Sequence, residues 1–562
     1  MPWTLYVYIL RDVLKLMVLA TLILLIVFSF AAAIKPLSDG LFGPWALMRF
    51  VFYTMPTMLT LVLPFAGGFA VTMVFYRIVA DNEITACLAS GLSYRTILLP
   101  IVSLGLVMTL LMFYLSNWVV PGFYRQVAAV VERDVTDVLM NQLGKGQAVE
   151  MGSGVVLYAD EAKVADEIPP IPGRSSQRSE RCIMVRGVVL GKFDKKGRLL
   201  KEATAEAADI FFFRERNRTS IEMIFKSAMA YDPARGLMHV PGNAHSRRLF
   251  LPSRLKDDPT FLSWPDLSDL AANPDGFDKV HEQKLRLVRA VAARQVLDDI
   301  VESLGPGDPG RAILRSTQAG ERYYVTAPRV VRKPWELLLI GNNADKVRMD
   351  VSEDGEVYSR VEATTATLRV VKSQAKKQLI ALDPAENQRE PLLDIRFEQP
   401  LIKDLRRQAE PVRQAMFERR CRWTHDVART IKDDPARQLL TTVNPSGDIA
   451  VKHALGRLRL EIEGLNRDII AEINLRGASA LGTVLFLLLG ALMSMKMGRN
   501  LPLIVYFRTF VIAMIAVLIT HSGKNVMTDI SYPIGVGLTI TWLGDVLLAA
   551  YLAVLYAFVA RH

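Results

Sequence analysis

The chain has 562 residues, a length that allows several domains. Its net charge of +11 comes from 68 basic and 57 acidic residues, but residues 121–478 hold 57 of the basic and 51 of the acidic ones, so the central region is nearly balanced in charge. A surface that binds nucleic acid is far more one-sidedly basic. That class of function is therefore excluded, and no nucleic-acid partner is expected.

Three long uncharged runs near the start of the chain predict membrane helices: Leu16 to Ile34, Phe50 to Tyr76 and Thr96 to Tyr124. Each run has about the 20 apolar residues that cross a bilayer, or more. A signal peptide has a shorter apolar core and a small-residue cleavage site. Ala31-Ala32-Ala33 could mimic such a site, but the first run is long enough to span the membrane and further spans follow.

The turn between the second and third spans has the pattern of a short amphipathic helix lying at a membrane face. Its first turn is acidic, which suits the positive end of a helix dipole, and apolar residues then recur at i, i+3 and i+4 before a glycine stop. We predict a helix over residues 80–90 that an outside protein can push; the alternative is a segment that only reverses the chain. The residues predicted to form this contact are Asp81, Glu83, Ile84, Cys87, Leu88 and Gly91.

After the third span the chain leaves the membrane for residues 121–478. Short β-branched and aromatic runs such as Val155 to Tyr158, Ile183 to Leu190 and Ile210 to Phe213 predict a β module. Their number and spacing fit a jelly roll, and fit another sandwich equally well.

A second stretch resembles the first at a constant offset of 158 residues. Ala205 then matches Ala363, and Ala208 matches Ala366. This pattern predicts a duplicated β module that would lengthen a conduit outside the membrane. Convergent hairpin patterns explain the offset equally well, because no run of identity is long.

The rest of the central region has helical patterns. Residues 267–304 are mostly helix-forming, and two later patterns predict an antiparallel helical hairpin, reversed by a loop at Asn444 to Gly447. The second pattern alternates steps of three and four, which is a coiled-coil signature. The first pattern is Leu405, Val412, Met416, Trp423 and Val427; the second is Val451, Leu455, Leu458, Ile462, Leu465, Ile469 and Ile473.

Three further spans close the sequence: Gly477 to Met495, Leu501 to His521 and Ile530 to Ala560. Arg508 and Asp545 interrupt the last two. A carboxylate within a span is costly, so a paired or functional role is the default for Asp545. Arg508 is one candidate partner, and the role of Asp545 stays open.

The basic residues of the short flanking segments indicate orientation. Eight lie on the side that holds both termini and three on the other, which predicts cytoplasmic termini and a central domain outside the cytoplasm. The eight are Arg11, Lys15, Arg77, Arg95, Lys496, Arg499, Arg508 and Arg561; the three are Lys35, Arg49 and Lys524.

Several elements, in order, resemble the LptF/LptG family of lipopolysaccharide-export permeases. They are Glu83-Ile84-Thr85, Ala89-Ser90-Gly91, Pro100 at the head of the third span, and Trp118-Val119-Val120-Pro121 at its end. The 3 + 3 arrangement around one large insertion is the family's pattern too. Ala471-Glu472 through Arg476 resembles the family's return into the membrane.

The resemblance implies an α-helical integral membrane protein with six transmembrane helices and a periplasmic β-jelly-roll-like insertion. It implies a permease subunit in the bacterial inner membrane that extracts lipopolysaccharide or a related lipid. Its partners would be a cytoplasmic ABC ATPase, a second permease or another copy of itself, and a periplasmic bridge protein. The helix at 80–90 would dock into the ATPase with Glu83 in contact, and the first and fifth spans would be lateral gates.

Lys35, at the outer end of the first span, takes the place of a basic family residue that meets the phosphorylated lipid headgroup. Ordinary interfacial anchoring explains a lysine at a span's end equally well. The chain has no P-loop and no metal-binding motif, so we expect no cofactor and no enzymatic activity of its own. Cys182 and Cys421 are both predicted outside the cytoplasm, and their pairing stays open.

The predicted domains are transmembrane helices 1–3 with the coupling helix (1–120), a β-jelly-roll-like module (121–252), a helical or irregular insertion (253–319), a second β module (320–400), the helical hairpin (401–478) and transmembrane helices 4–6 (479–562). An alternative from another functional class is a membrane-anchored envelope scaffold that binds partners without transporting lipid.

Overall fold

The structure is a computed structural model. It describes residues 3–38, 44–124, 126, 143, 148–150, 155–165, 168–169, 179, 181–193, 198–215, 218–232, 236–246, 249–250, 258–305, 310–316, 320–333, 335–342, 344–353, 355–371, 380–381, 391–406, 410–423, 434–445, 448–498 and 500–561.

Among the residues that the structure describes, six helices are long and apolar enough to cross a membrane, three before the insertion and three after it. The prediction of a 3 + 3 membrane protein with a large β insertion is confirmed. The helices are α1 (Trp3–Ser38), α2 (Pro44–Ala80), α3 (Glu83–Ala89), α4 (Tyr94–Tyr114), α5 (Trp264–Ala272), α6 (Asp278–Ser303), α7 (Ala436–Thr442), α8 (Ile449–Met497), α9 (Pro502–Thr528) and α10 (Ile534–Arg561), and a π-helical turn, Leu115–Val119, extends α4.

The C-terminal half of α8 runs through the middle of the membrane bundle and packs against α2, α4, α9 and α10. Small side chains bring the backbones of α8 and α2 together, as is common between membrane helices. The Ser494 hydroxyl of α8 donates to the Thr72 carbonyl of α2 at 2.9 Å. A Cβ on Gly490 would lie 3.0 Å from the Gly68 carbonyl oxygen. Helix α8 is therefore fixed against the N-terminal half of the bundle.

The first β-sheet follows the third span and is antiparallel throughout. Its strands run in the order β1-β2-β4-β5-β6-β7-β16, with β3 also paired to β4 and β8 to β6. The strands are β1 (Val149–Glu150), β2 (Val155–Tyr158), β3 (Glu161–Val164), β4 (Arg181–Phe193), β5 (Leu199–Glu215), β6 (Arg218–Asp232), β7 (Gly236–Ser246) and β8 (Leu249–Phe250), joined at the edge by β16 (Ile380–Ala381).

Within the described residues, a second sheet has eleven strands, in the order β11-β12-β15-β17-β20-β9-β10-β13-β14-β18-β19. They are β9 (Ala312–Ser316), β10 (Glu321–Thr326), β11 (Arg329–Lys333), β12 (Glu336–Ile340), β13 (Val347–Glu353), β14 (Glu356–Ala363), β15 (Thr365–Val370), β17 (Leu392–Glu398), β18 (Leu401–Asp404), β19 (Val412–Arg413) and β20 (Met416–Trp423).

The first helix of the predicted hairpin is wrong, because residues 401–404, 412–413 and 416–423 are strands. The apparent helical spacing joined residues from opposite faces of a strand. Met416 is exposed, whereas Cys421 and Trp423 are buried in the core of the second sheet. A period of two, not of 3.6, describes this segment. Val427 lies outside the described residues.

The inner face of the second sheet is filled by helix α6. Ala293, Val296, Leu297 and Ile300 of this helix, each at most 3% exposed, share one apolar core with the strands. Interiors packed in this way leave few voids larger than a water molecule. One face of the sheet is thus covered by α6, and the predicted extension of an open conduit does not fit it.

The two segments related by the 158-residue offset differ in topology. Residues 199–215 form the single strand β5, paired with β4 and β6. Residues 356–370 form two strands, β14 paired with β13 and β18, and β15 paired with β12 and β17. Convergent hairpin patterns explain the sequence similarity better than a duplication does.

The predicted coiled-coil seam lies in the N-terminal half of α8. It does not pack against a second helix of a hairpin, as predicted, but against three other helices. Its residues join one cluster with α5, α6 and α7. Helix α8 then continues into the membrane without a break for 49 residues in all, about 74 Å at 1.5 Å per residue. The extramembrane helices are therefore carried on the same rod as the fourth span.

Candidate coupling site and intramembrane charges

Helix α3 lies against the end of the bundle that holds the N-terminus. Ile84 is 8% exposed and belongs to the bundle core, and Cys87 and Leu88 pack against that core. These three residues form the face that their spacing predicts. Gly91 adopts φ +86°, a left-handed conformation that suits glycine, and it ends the turn.

The start of α3 differs from the prediction by three residues. The helix begins at Glu83, and Asn82 precedes it with φ 60° in the left-handed region. Asp81 lies in the turn after α2 and is exposed. Of the two acidic residues predicted to take part in the contact, Asp81 and Glu83, only Glu83 is helical.

The outward face of α3 is made of small residues. Thr85, Ala86 and Ala89 are exposed, while Glu83 at the edge of this face is half-buried. Short side chains allow another protein to approach the helix backbone closely. The arrangement gives a short helix held from one side and accessible from the other.

Glu83 also belongs to a polar chain that joins three helices. The Tyr8 hydroxyl of α1 donates to the Glu83 carboxylate at 3.4 Å, and the Arg77 guanidinium of α2 donates to the Tyr8 oxygen at 3.1 Å. Arg77 also forms an ion pair with Asp12 at 2.5 Å. The sequence reasoning missed Tyr8 and Asp12, because nothing in the chain's order relates them to residues about 70 positions away.

The loop between α8 and α9 reaches the same end of the bundle. Gly498 lies so close to Val79 of α2 that a Cβ there would collide with its side chain. The N-terminus, α3 and this loop therefore share one face. Lys35 lies in α1 near that helix's other end, and its side chain is outside the described residues.

At the opposite face, a buried ion network surrounds Arg476 of α8. Arg476 and Glu472 are each 5% exposed and form an ion pair at 2.9 Å. Lys524 of α9 holds the second Glu472 oxygen at 2.7 Å. The network thus ties α8 to α9 where both helices leave the bundle.

Arg476 also holds a segment of the insertion. Its guanidinium donates to the carbonyls of Thr260 at 3.1 Å and Leu262 at 2.9 Å, and to the Asn117 amide oxygen at 3.3 Å. Asn117 is fully buried in the π-helical turn near the end of the third span, which continues as helix to Tyr124. Such turns are frequent at functional sites.

Aromatic rings surround this joint. The Phe261 ring lies 4.2 Å from that of Tyr124, and the Trp264 ring lies 6.1 Å from that of Phe113. Trp and Tyr, here Trp264 and Tyr124, favour the membrane–water interface because they have an apolar body and a polar tip. Residues 258–264 contain a 3₁₀ turn, Pro259–Phe261, and end at the first residue of α5, Trp264. We call them the joint segment. The i, i+4 spacing of Glu472 and Arg476 is the one sequence signal that points to this network.

The two intramembrane charges predicted as partners do not meet. Arg508 is exposed, and its guanidinium lies 3.7 Å from the Met497 sulfur. Asp545 is 6% exposed, and one of its carboxylate oxygens has no hydrogen-bond partner among the described residues. A Cβ on Gly482 of α8 would lie 3.2 Å from the other oxygen. Asp545 therefore faces α8 rather than Arg508.

Cys182 and Cys421 are free thiols in different sheets. Both are buried, and burial raises the pKa of the Cys182 thiol to about 12 and the pKa of Cys421 further still. The disulfide left open by the sequence is absent between these two described residues.

Comparison with protein families finds one match that bears on these sites. Residues 7–221 match the family described as Lipopolysaccharide export system permease LptF/LptG. The match covers α1 to α4, including α3, and most of the first sheet, and ends before the joint segment and the second sheet. Comparison with curated proteins finds no match.

Proposed function

We propose that this chain, which belongs through residues 7–221 to the LptF/LptG permease family, is the membrane permease subunit of an ABC-type exporter. It extracts lipopolysaccharide or a related lipid from the bacterial inner membrane. A separate cytoplasmic subunit hydrolyses ATP. The termini and α3 face the cytoplasm, and the insertion faces the periplasm.

The packing of α3 is the observation that carries the proposal. Its inner face is anchored in the bundle core by Ile84, and its outer face presents the exposed residues Thr85, Ala86 and Ala89. A segment that only reversed the chain would need no such accessible helix. This helix can receive an ATPase from outside and pass a push to α2, on which it rests.

Two further features of the proposal follow from the family, and a third follows from the packing of α6. A second permease, or another copy of this chain, completes the lipid cavity, with the first and fifth spans, α1 and α9, as lateral gates. The first sheet receives the lipid and passes it to a periplasmic bridge protein. The second sheet takes no part in conduction, because α6 fills its inner face.

The test reverses the charge of Glu83, at the edge of the outer face of α3. Glu83→Arg places a cation opposite the basic residue that the ATPase groove is expected to offer. Truncating one member of a buried charge pair already costs about 2–5 kcal/mol, which is at least about tenfold in affinity. The measurement is the amount of ATPase retained on affinity-purified permease, and we expect a loss of at least about tenfold.

Two control variants separate this contact from the internal network. Tyr8→Phe removes the hydrogen bond to Glu83 without changing its charge, so it should retain the ATPase. Glu83→Gln keeps a similar shape and should be milder than Glu83→Arg. Full retention with Glu83→Arg, in protein that inserts normally, would favour the envelope scaffold instead.

Lipid contact at Lys35 has its own test. Lys35→Glu should weaken crosslinking of lipopolysaccharide to the cavity if the residue meets an anionic headgroup, whereas Lys35→Arg should be mild. Equal crosslinking in the wild type and Lys35→Glu would leave Lys35 as an interfacial anchor.

A further inference from the structure

Charges on the outer face of the second sheet follow a rule of cross-strand complementarity. Outward-pointing basic residues stand opposite acidic ones on the neighbouring strand, which is the favourable arrangement in a sheet. These pairs are Arg396 with Glu418 at 3.1 Å, Arg420 with Asp394 at 3.3 Å, Arg360 with Asp350 at 2.7 Å and Arg348 with Glu362 at 3.8 Å.

Lys403 stands opposite Arg360, but each of the two has a carboxylate partner, Glu362 at 3.7 Å and Asp350 at 2.7 Å. One row on this face has basic residues opposite each other without such partners among the described residues. Arg322 of β10 pairs directly with Arg315 of β9, and Arg315 pairs directly with Arg422 of β20. All three side chains point outward, because Tyr323, Leu314 and Cys421 beside them are at most 1% exposed and point inward. Three adjacent strands therefore present three arginines side by side, which we call the arginine row.

The arginine row is not neutralised within the described part of the chain. Its ends adjoin the uncharged residues Ser352 and Leu392. The Nε atom of Arg422 is buried and has no hydrogen-bond acceptor among the described residues. Like charges directly opposite each other destabilise a sheet, so the row is unfavourable in the absence of an anion.

The geometry suits a ligand with several anionic groups. Directly opposed residues have Cβ atoms about 4.5–5.5 Å apart, so three arginines cover about 10 Å. Each guanidinium is a planar fork that binds phosphate or carboxylate through two hydrogen bonds. A fourth cation, Arg311, lies nearby with its guanidinium 4.8 Å from the Tyr324 ring centre. A single phosphate would occupy only part of this surface.

We infer that the arginine row binds the phosphate- and carboxylate-bearing saccharide headgroup of the exported lipid. The inference rests on the proposed export function and assigns the second sheet a role beside the conduit rather than in it. An acidic protein is a less suitable ligand for the arginine row. The core of a protein–protein interface is depleted of charged residues, but the surface around the row is covered by charged ion pairs.

The test measures headgroup binding to the full-length protein in nanodiscs. The probe is a water-soluble glucosamine disaccharide carrying two phosphates and no acyl chains, so that the lipid cavity does not contribute. The variant Arg315→Gln/Arg322→Gln should bind it at least about tenfold more weakly at low salt, since two of three charge-assisted contacts are lost. Because the substitutions remove like-charge repulsion, thermal stability without the probe should not fall.

The matched control is Arg348→Gln/Arg396→Gln. It removes the same number of charges from the same face, but from residues already paired with carboxylates. We expect its affinity for the disaccharide to change less than twofold. An equal loss in both variants would overturn the inference in favour of general surface charge.

Two competitors identify the ligand class. Inorganic phosphate should compete only weakly; competition at the same concentration as the disaccharide would reveal an adventitious ion only and overturn the inference. Polyglutamate binding with no disaccharide binding would overturn it in favour of an acidic protein. None of these outcomes depends on ATPase retention, so the failure of this inference is distinguishable from the failure of the export function.

Discussion

Replacing Arg476 with methionine should release the joint segment, residues 258–264, from the membrane bundle. The guanidinium contributes hydrogen bonds to two carbonyls of that segment, to Asn117 and to Glu472. Methionine fills similar volume but donates none of them. The joint segment then keeps its aromatic contacts and the hydrogen bond of 3.4 Å from the Lys524 ammonium to the Thr260 hydroxyl, and it loses its hydrogen bonds to Arg476.

The size of the effect follows from the bonds that opening breaks. The ion pair between Arg476 and Glu472 lies within α8 and is intact in both states, so only the two hydrogen bonds from Arg476 to the carbonyls of Thr260 and Leu262 hold the segment closed. A hydrogen bond to a charged group contributes about 1.5–3 kcal/mol, so the loss of both should cost at least about 3 kcal/mol. That value corresponds to a change of more than about a hundredfold in the opening equilibrium of the joint segment.

Hydrogen exchange measures this opening directly. The amides of Phe261 and Leu262 donate to the carbonyls of Asp258 and Pro259, and they exchange only when the segment opens. In nanodiscs, peptides covering 258–264 should exchange more than about a hundredfold faster in Arg476→Met.

Arg467→Met is the matched control. Arg467 also lies on α8 and donates to the carbonyls of Asp529 and Tyr532 in the α9–α10 loop. Its loss should accelerate exchange in that loop and leave the joint segment unchanged. Unaltered exchange of residues 258–264 in Arg476→Met, or the same acceleration in both variants, would refute the role assigned to Arg476.

Other predictions follow from the same structure. Because burial raises the pKa of Cys182 and Cys421, the thiolate fraction of both stays negligible between about pH 7 and 8.5, and maleimide should label them only after denaturation; fast labelling of the folded protein would contradict their burial. Asp545→Leu should raise the thermal midpoint, since an unsatisfied buried polar group costs about 1–3 kcal/mol, and a lower midpoint would mean that Asp545 has a partner. A reporter fused after Gly91 should be cytoplasmic and one near Gly242 periplasmic, and the reverse pattern would overturn the orientation. Gly464, whose Cβ position is open, should tolerate alanine with a gain of up to about 1 kcal/mol, whereas Gly464→Pro should reduce export by breaking α8; equal export by both would show that α8 need not be continuous.

The membrane half of the fold was predictable because a membrane-spanning helix is determined mainly by the length and the polarity of its sequence. An apolar run of about 20 residues has few alternatives to a membrane helix. Four of the six spans were recognised as uncharged runs, and the last two as apolar runs with a single charge each. The inner face of α3 could also be predicted from the sequence, since Ile84, Cys87 and Leu88 repeat at helical spacing and pack against the bundle core as expected. Local periodicity was sufficient for these elements.

The insertion was less predictable, because its contacts are set by tertiary packing. Met416 and Trp423 are seven residues apart and match a helical seam, yet β20 takes its place from pairing with β17 and β9. That α6 fills the second sheet depends on which residues face which layer. The arginine row likewise appears only with the strand register, since Arg315, Arg322 and Arg422 are unremarkable in sequence.

Because α8 connects the membrane bundle to the insertion, the effect of Arg476→Met on the joint segment also tests how movement is transmitted during transport. One end of this rod packs against α2, on which α3 rests, and the other end carries α6 and with it the second sheet. A push on α3 that moves α2 must also move α8, since the two backbones are in close contact at Gly490. The joint segment is where this rod meets the insertion through polar bonds. If Arg476→Met opens the joint and lowers export while the ATPase stays bound, the movement of α8 reaches the insertion through Arg476. If export is unaffected by an open joint, the lipid path is worked by the remaining spans alone, and α8 serves only to carry the second sheet.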